Sequence, residues 1–444
     1  MSDASTAAVL EGLTAALRDA IATAPGHETH ALTAMRANAL AWFDANGLPH
    51  PRSEDWKYTN VRPIARRDFS LGSAHGVASD VSEFADLGAG PDAACTVVLV
   101  DGVVAQISSD VPDGLALLPL GEALARHGDS LSDLIGKVAD AHADGFAALN
   151  ASSLSQGVYI KVREGVRIPQ PINVVFVGKT DGVAALPRLL IDVGQDAAAH
   201  VVEHYVGDAK AAYLTNAVVE INLAERAKLE LSKLQEEGIK AFHISTTAAR
   251  LAESAELVSN ALSFGAAIAR HDINARFTAP NGNIVLNGLY MGSGRQHVDF
   301  HTRLFHAATD CTSEQIYKGI LDGHARGVFN GQVHVEPDAQ RTQADQSNHN
   351  LLLSRNTEID TKPQLEIYAD DVKCSHGTTV GQLDEQMLFY LRSRGIPPTE
   401  ARGMLTYGFA HDIVERLTLD ALRVRAEATL TNILPETGGL GETH

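Results

Sequence analysis

The feature that most constrains this fold is a stretch of more than 200 residues, from about Gly157 to Val380, made of short β-rich runs with almost no helical periodicity. Gly, Asn and Asp residues separate the runs, as is typical of turns between strands. So many strands are too many for one β-sandwich, whereas in a β-solenoid each coil buries its apolar residues against its neighbours. We therefore predict a parallel β-solenoid, although no repeat of fixed period is present. The clearest runs are 158–162, 172–177, 189–193, 200–206, 217–221, 284–290 and 333–335.

Helical periodicity marks the region before this stretch. Two amphipathic helices are predicted, and the second should stop at Asn46-Gly47, with Pro49 beyond it. Residues 95–107 are strand-like, with the run 96–100 leading into the turn dipeptide Asp101-Gly102, and residues 120–145 regain helical spacing. The apolar positions of the two N-terminal helices are Leu10, Leu13, Leu17 and Ile21, and then Leu32, Met35, Ala39, Leu40 and Phe43.

Helical periodicity returns after Gln382. Met387, Leu388 and Leu391 form one apolar stripe, which Gly395 and Pro397-Pro398 interrupt before further helices. The predicted fold class is therefore mainly β, with a β-helix core between helical regions. The predicted domains are an N-terminal helical and mixed domain (1–150), the core (151–382), a C-terminal helical domain (383–435) and a flexible tail (436–444).

Composition and motifs narrow the functional class. A formal net charge of −19 disfavours nucleic-acid and anionic-membrane partners. We find no apolar run near 18 residues and no secretory signal, and the three cysteines do not form a disulfide framework, so we expect a cytoplasmic protein. No phosphate-binding loop, HExxH or GxSxG motif occurs, and no Gly-x-Gly start is completed. We expect a non-enzymatic chain that binds no nucleotide itself.

Cys374 and His376 are the strongest candidate site residues. In a strand, residues two apart share a face, with Cα atoms about 7 Å apart. Thiolate and imidazole suit soft or borderline metals, but two ligands cannot close a tetrahedral site. The pair is thus either structural, a buried cysteine beside a hydrogen-bonded histidine, or half of a site that another chain completes.

Other polar groups have both structural and functional interpretations. His297, Asp299 and His301 alternate and would share one face of a strand, which could bind a metal, face solvent or form an interface. Asp370 and Asp371, near Glu366, would point to opposite faces of a strand, which disfavours the carboxylate pair of a glycoside-cleaving enzyme. Hydrogen-bonded or solvated roles are the simplest for His324, His334 and His349 and for Arg392, Arg394, Arg402 and Arg416, although the C-terminal helices could also form a docking surface.

A long series of motifs resembles the SufB/SufD family of the SUF iron–sulfur cluster assembly system. The resemblance is strong over about 270–415 and is present again in the Glu-Asp-Trp-Lys-Tyr-Thr segment at 54–59. With three cysteines and no Cys-x-x-Cys, the chain is closer to the SufD branch than to the SufB branch. The matching segments are 315–321, 327–331, 339–344, 348–353, 362–367, 374–381, 388–391 and 394–396.

The resemblance implies a right-handed parallel β-helix flanked by helical regions. It implies pairing with SufB through the ends of the two β-helices, and a SufC ATPase on the C-terminal helical domain. In this family the histidine of the Cys-Ser-His-Gly motif, here His376, is a proposed ligand of iron or of a transient cluster at the subunit interface, with Cys374 beside it. The chain would then be a scaffold in cluster assembly.

Two rival functions stay open at this point. One is a carbohydrate-active β-helix enzyme, which the lack of a secretion signal disfavours. The other is a homodimeric scaffold in which two copies of the Cys374/His376 half-site face each other and assemble a cluster without SufB.

Overall fold

The computed structural model describes residues 30–73 and 81–433. An N-terminal region of short helices and strands leads into the long β-rich part. The helix predicted to stop at Asn46-Gly47 does so, because Gly47 adopts a positive φ of 66°. The N-terminal elements are α1 (His30–Asn46), a 3₁₀ turn (Glu54–Trp56), α2 (Arg62–Ala65), β1 (Ser70–Leu71), α3 (Ser82–Ala85), a second 3₁₀ turn (Gly90–Asp92), β2 (Cys95–Val100), β3 (Val103–Ile107), β4 (Leu115–Pro119), α4 (Leu120–Leu131) and α5 (Gly145–Ser153).

A parallel β-solenoid of about eight turns forms the body of the molecule. Its strands alternate between two sheets, so the strands from β8 to β20 with even numbers pair in sheet A and those from β9 to β21 with odd numbers pair in sheet B. The strands are β5 (Gly157–Val162), β6 (Ile172–Gly178), β7 (Val183–Ala185), β8 (Arg188–Val193), β9 (Ala198–Gly207), β10 (Leu214–Leu223), β11 (Lys228–Gln235), β12 (Phe242–Leu251), β13 (Glu256–Ser263), β14 (Ile268–Phe277), β15 (Asn283–Gly292), β16 (His297–His306), β17 (Thr312–Leu321), β18 (Arg326–Val335), β19 (Gln343–Leu352), β20 (Glu358–Ile367) and β21 (Lys373–Gly381).

The coil length explains why no fixed repeat is visible in the sequence. From β9 and β10 onward, residues that pair in adjacent coils lie between 26 and 32 residues apart along the chain. The strands keep a constant register, and the corners take up the variation in length. Stacked positions are therefore in register in space without being periodic in sequence. The fold class predicted from the strand pattern, mainly β with a parallel β-helix between helical regions, is confirmed.

One corner of the coil repeatedly contains a residue with a left-handed backbone conformation. The turn from each sheet A strand between β8 and β18 to the next sheet B strand contains a residue with positive φ, such as Asp196 (56°) or Asp310 (61°). The residue after it is small and buried, as Ala227 and Cys311 are. Cys311 is therefore a structural residue, because this corner buries a small residue at the equivalent position of each of these coils. The positive-φ residues are Asp196, Arg226, Ser254, Asn281, Asp310 and Arg341.

Three C-terminal helices follow the solenoid, α6 (Glu385–Ser393), α7 (Pro398–Val414) and α8 (Asp420–Ile433). They pack on the outer face of sheet B, where side chains such as Ile413, Val414 and Leu430 meet Leu262 and Ile320. No helix in residues 30–73 or 81–433 is long and apolar enough to span a membrane.

Some local predictions need correction. The helix predicted over 120–145 ends at Leu131, and turns follow, one of them at Gly136, where the backbone N–H donates to the buried carboxylate of Glu220. Asp370 and Asp371 lie in a turn between β20 and β21, so the run 362–377 is two strands rather than one. The predicted helix around Leu10–Ile21 and the predicted tail lie outside the described residues. The domain limits at 150, 382 and 435 stay a prediction.

Candidate functional site

The solenoid ends at two terminal strands, β20 in sheet A and β21 in sheet B. Each pairs with a neighbour on one side only, so along the other side, in the part of the chain that the structure describes, backbone N–H and C=O groups lack a strand partner. An uncovered strand edge is a ready template for a further strand from another chain. This end of the solenoid, formed by β20 and β21, is here called the open end.

Cys374 and His376 both lie on β21. Their in-register neighbours on β19 are Ala344 and Gln346, which are buried and face the interior of the solenoid. Side chains of paired residues share a face, so Cys374 and His376 also project on the inner side, as the two-residue alternation predicts. His376 is nevertheless exposed, because no coil from residues 30–73 or 81–433 lies above it at the open end.

The thiol and the imidazole have different environments. Cys374 is half-buried against a small apolar cluster that includes Val333 and Ala344. Burial is the main cause that raises the pKa of the Cys374 thiol, and the nearby charge of Asp345 adds to it. The thiol is therefore held mostly protonated in this chain, and a metal or a positive group brought by a partner would be needed to favour the thiolate. No hydrogen bond to the ring of His376 is found among the described residues.

The residue set around this pair is incomplete as a metal site. Among residues 30–73 and 81–433, no group of three or more His, Cys, Asp or Glu side chains is placed to hold a metal ion. Cys374 and His376 provide at most two donors, and the intervening Ser375 faces outward, where its hydroxyl donates to Asp345 at 2.6 Å. Their role as ligands stays a prediction that requires donors from a second chain.

His297, Asp299 and His301 share a face of β16, as predicted, and that face is an internal interface. The 54–59 segment covers it: Thr59 donates to Asp299, and Trp56 stacks on Arg270 at 3.9 Å. Arg270 also pairs with Asp299 at 2.7 Å. The charges are thus satisfied within the chain, which supports a structural role rather than a metal site.

The remaining histidines have structural surroundings. His334 pairs with Glu366 at 3.1 Å, and His349 shares a hydrogen bond of 2.8 Å with Thr379 on β21. His324 is exposed at the turn between β17 and β18. None of these three approaches the Cys374/His376 pair through a contact found here. The carboxylates Asp370 and Asp371 belong to a turn, so the argument from opposite strand faces does not apply to them.

Helix α6 presents an uncovered apolar surface next to the open end. Met387, Phe389 and Tyr390 are 56%, 72% and 57% exposed. Of the predicted apolar stripe of Met387, Leu388 and Leu391, Leu388 is buried whereas Met387 faces solvent. Only residues 382–384 separate β21 from α6. Asp384 caps the first turn of α6, because its carboxylate accepts from the backbone N–H of Gln386.

The four arginines considered on the C-terminal helices divide into two pairs. Arg392 and Arg394 are exposed around the end of α6. Arg402 donates to the carbonyl oxygen of Leu353 at 3.1 Å, and Arg416 lies 3.7 Å from Glu314. Two of them therefore hold the helices to the solenoid, and the other two remain available at the uncovered surface.

Sequence reasoning missed two residues that shape these sites. Arg270 was not singled out, although an arginine two residues before Asp272 in an apolar strand is unusual enough to suggest a buried ion pair. Gln346 was not singled out either. Apart from Ala344 its sequence surroundings are polar, and no local signal distinguishes the buried amide from its exposed neighbours.

Comparison with known proteins covers nearly the whole chain. Residues 15–174 match the family model described as the SufBD protein N-terminal region, and residues 176–409 match the model described as SUF system FeS cluster assembly, SufBD core domain. The iron–sulfur cluster assembly protein SufD of Escherichia coli is 34% identical over 88% of this chain and 90% of its own length.

Two further relatives show the breadth of the similarity. The SufBD family protein slr0076 of Synechocystis is 29% identical over 90% of each chain. Protein ABCI7, chloroplastic, of Arabidopsis thaliana is 31% identical over 76% of this chain and 73% of its own length. The matches span both the N-terminal region and the solenoid.

Proposed function

Because this chain belongs to the SufB/SufD family of the SUF iron–sulfur cluster assembly system, we propose that it is a non-catalytic scaffold subunit that pairs with a SufB-type subunit and docks a SufC-type ATPase. The observation that carries this proposal is the open end of the solenoid, where Cys374 and His376 lie on an uncovered terminal strand. Iron, or the nascent cluster, is cargo at this position rather than a resident cofactor. The three cysteines form no disulfide bond, which supports a function in the reducing environment of the cytoplasm.

The open end supports pairing with another solenoid. A second chain that adds a strand to β20 or β21 would satisfy their free backbone groups and cover exposed apolar side chains. Tyr368 and Val380 are 61% and 49% exposed at this end. The same contact would bring foreign donors over Cys374 and His376, which supplies the ligands that the chain lacks.

The exposed surface of α6 supports the docking of a partner. An exposed group of Met387, Phe389 and Tyr390 with neighbouring Arg392 and Arg394 has the aromatic, methionine and arginine composition that is enriched at protein interfaces. An ATPase at this position supplies the nucleotide, and this chain then needs no phosphate-binding loop. Since only three residues separate α6 from β21, a movement of the docked partner would act close to His376.

The test is co-expression with the SufB-type and SufC-type proteins of the same organism, followed by anaerobic purification through a tag on this chain. We expect both partners to co-purify, with bound iron and visible absorbance that His376→Ala removes while the complex stays assembled. His349→Ala is a matched control, since His349 lies one strand away and faces outward.

Two outcomes would contradict the proposal. A complex that keeps its iron and absorbance in His376→Ala would remove His376 from the site. A coloured homodimer of this chain alone would favour the alternative, a scaffold that assembles a cluster between two identical half-sites without SufB.

A further inference from the structure

A column of polar side chains runs along the inside of sheet B toward the open end. Gln315 on β17, Gln346 on β19 and His376 on β21 occupy successive in-register positions. Neighbouring strands are about 4.8 Å apart, so each side chain lies beside the next. Gln346 is therefore the inner neighbour of His376.

Gln346 is buried and unpartnered. Only 3% of it is exposed, and neither its amide oxygen nor its amide nitrogen has a hydrogen-bond partner among the described residues. Gln315 differs in its oxygen, which accepts from the Thr302 hydroxyl at 2.6 Å, although its amide nitrogen also lacks a partner among the described residues. An unsatisfied buried amide is costly, and an apolar side chain of the same shape would avoid that cost. The buried amide therefore has an acceptor oxygen to offer to a group that is not yet in place.

The coil opposite Gln346 leaves room for this amide. Gly331 on β18 faces it across the interior, and a Cβ at Gly331 would lie 1.6 Å from the Gln346 amide nitrogen. The space at Gly331 therefore holds the Gln346 amide in the interior, one strand away from His376. On the other side of His376 the described part of the chain places no coil, so the imidazole has room to turn.

We propose that Gln346 is the positioning residue for His376. When a partner covers the open end, the imidazole turns inward, its Nδ1–H donates to the Gln346 amide oxygen, and Nε2 is left facing the iron. Ligating histidines generally donate their other ring N–H to such an acceptor, and loss of that acceptor lowers metal affinity by about 10- to 100-fold. This inference rests on the proposed function, because it assumes that His376 is a ligand.

The experiment compares variants in the anaerobically purified complex and in the isolated full chain. Gln346→Met removes the amide but keeps a flexible side chain of similar size, and Gln346→Glu keeps an acceptor oxygen. Gln315→Met is the matched control one coil deeper. We expect Gln346→Met to lower the iron retained under chelator challenge by about 10-fold or more while the thermal midpoint of the isolated chain stays level or rises. Gln346→Glu should retain iron and lower the midpoint.

In Gln346→Met, iron retention should fall while the thermal midpoint does not. This difference distinguishes a role in positioning His376 from a role in packing. Normal iron retention in Gln346→Met, or equal loss in Gln315→Met, would overturn the proposal. If Gln346→Glu does not fold, the comparison of the two methionine variants decides. Iron that is lost in His376→Ala but kept in Gln346→Met would overturn this inference alone, whereas iron kept in His376→Ala would overturn the proposed function itself.

Discussion

The ammonium group of Lys318 on β17 lies 2.7 Å from the carboxylate of Asp412 on α7, and it also donates to the carbonyl oxygen of Phe409 at 3.1 Å. Lys318 is 9% exposed and stands over the ring of Phe409 at 4.8 Å. One buried lysine thus holds the C-terminal helices to the sheet that ends in β21. The adjacent outward residue on β19 is His349, which contacts Thr379 on β21.

Replacement of Lys318 should therefore loosen the helices from the solenoid. We expect Lys318→Met to lower the free energy of unfolding by about 1.5–3 kcal/mol, the range for hydrogen bonds to charged groups. Lys228→Met is the control, since Lys228 pairs with Glu256 at an exposed position and should change stability by about 0.5 kcal/mol or less. Denaturant unfolding measures both, and equal effects would contradict the anchoring role.

Arg270 should be far more sensitive to replacement than a second arginine on the same strand. Arg270→Met leaves the fully buried Asp299 without its cation and removes the stacking partner of Trp56, so we expect a loss of about 3–5 kcal/mol. Arg276→Met removes a partly exposed pair with Glu336, whose side chains are 47% and 35% exposed, and should cost about 0.5 kcal/mol or less.

Proteolysis supplies a second measurement of the Arg270 effect. The 54–59 segment should become sensitive to limited proteolysis in Arg270→Met and stay protected in Arg276→Met, because the backbone oxygen of Asp55 accepts from Arg270 at 2.8 Å. A protected segment in both variants would mean that other contacts, such as the hydrogen bond from Thr59, suffice to hold it.

The three cysteines should react with a thiol reagent in a definite order. Cys95 and Cys311 are buried and should react only on unfolding, whereas Cys374 should be labelled in the native chain. Because the pKa of the Cys374 thiol is raised, its labelling rate should keep increasing with pH above 9. Mass spectrometry of labelled peptides identifies the site, and formation of the complex should protect it. Unchanged labelling of Cys374 in the complex would contradict pairing at the open end.

His306 should make the fold sensitive to acid. Burial lowers the pKa of His306 to about 4 in the folded chain, where the ring bonds Ser313 at 2.9 Å and packs on Phe277. The unfolded chain binds the proton near pH 6.5 and the folded chain does not, so stability is full above pH 6.5 and falls as the pH drops toward 4. The loss attributable to His306 is about 3 kcal/mol at most.

A variant separates His306 from the other buried histidines. His306→Gln should show a shallower decline in the free energy of unfolding between pH 6.5 and 4.5 than the unaltered chain. The decline will not vanish, because burial also lowers the pKa of His271. An identical slope in the variant would show that His306 accepts its proton without opening the fold.

Much of the fold and part of the site could be predicted from local patterns. Alternation of side chains along a strand is a property of the strand itself, so Cys374 and His376 could be assigned to one face before any coil was placed. The stop of α1 at Gly47 is local in the same way, since it depends on one residue that adopts a positive φ at little cost. The Cys374/His376 pair and its need for further donors likewise follow from residue types and spacing.

Local patterns do not reveal which residues stack, because stacking joins positions 26 to 32 residues apart through corners of unequal length. The packing of the coils makes Gln346 the neighbour of His376 and Arg270 the partner of Asp299. It also leaves His376 exposed at the open end, although this histidine faces inward. Burial depends on whether another coil lies above a residue, and nothing in the local pattern of β21 records that it is the last. The strands and their faces thus follow from local sequence patterns, whereas the surroundings of the site follow from packing between distant coils.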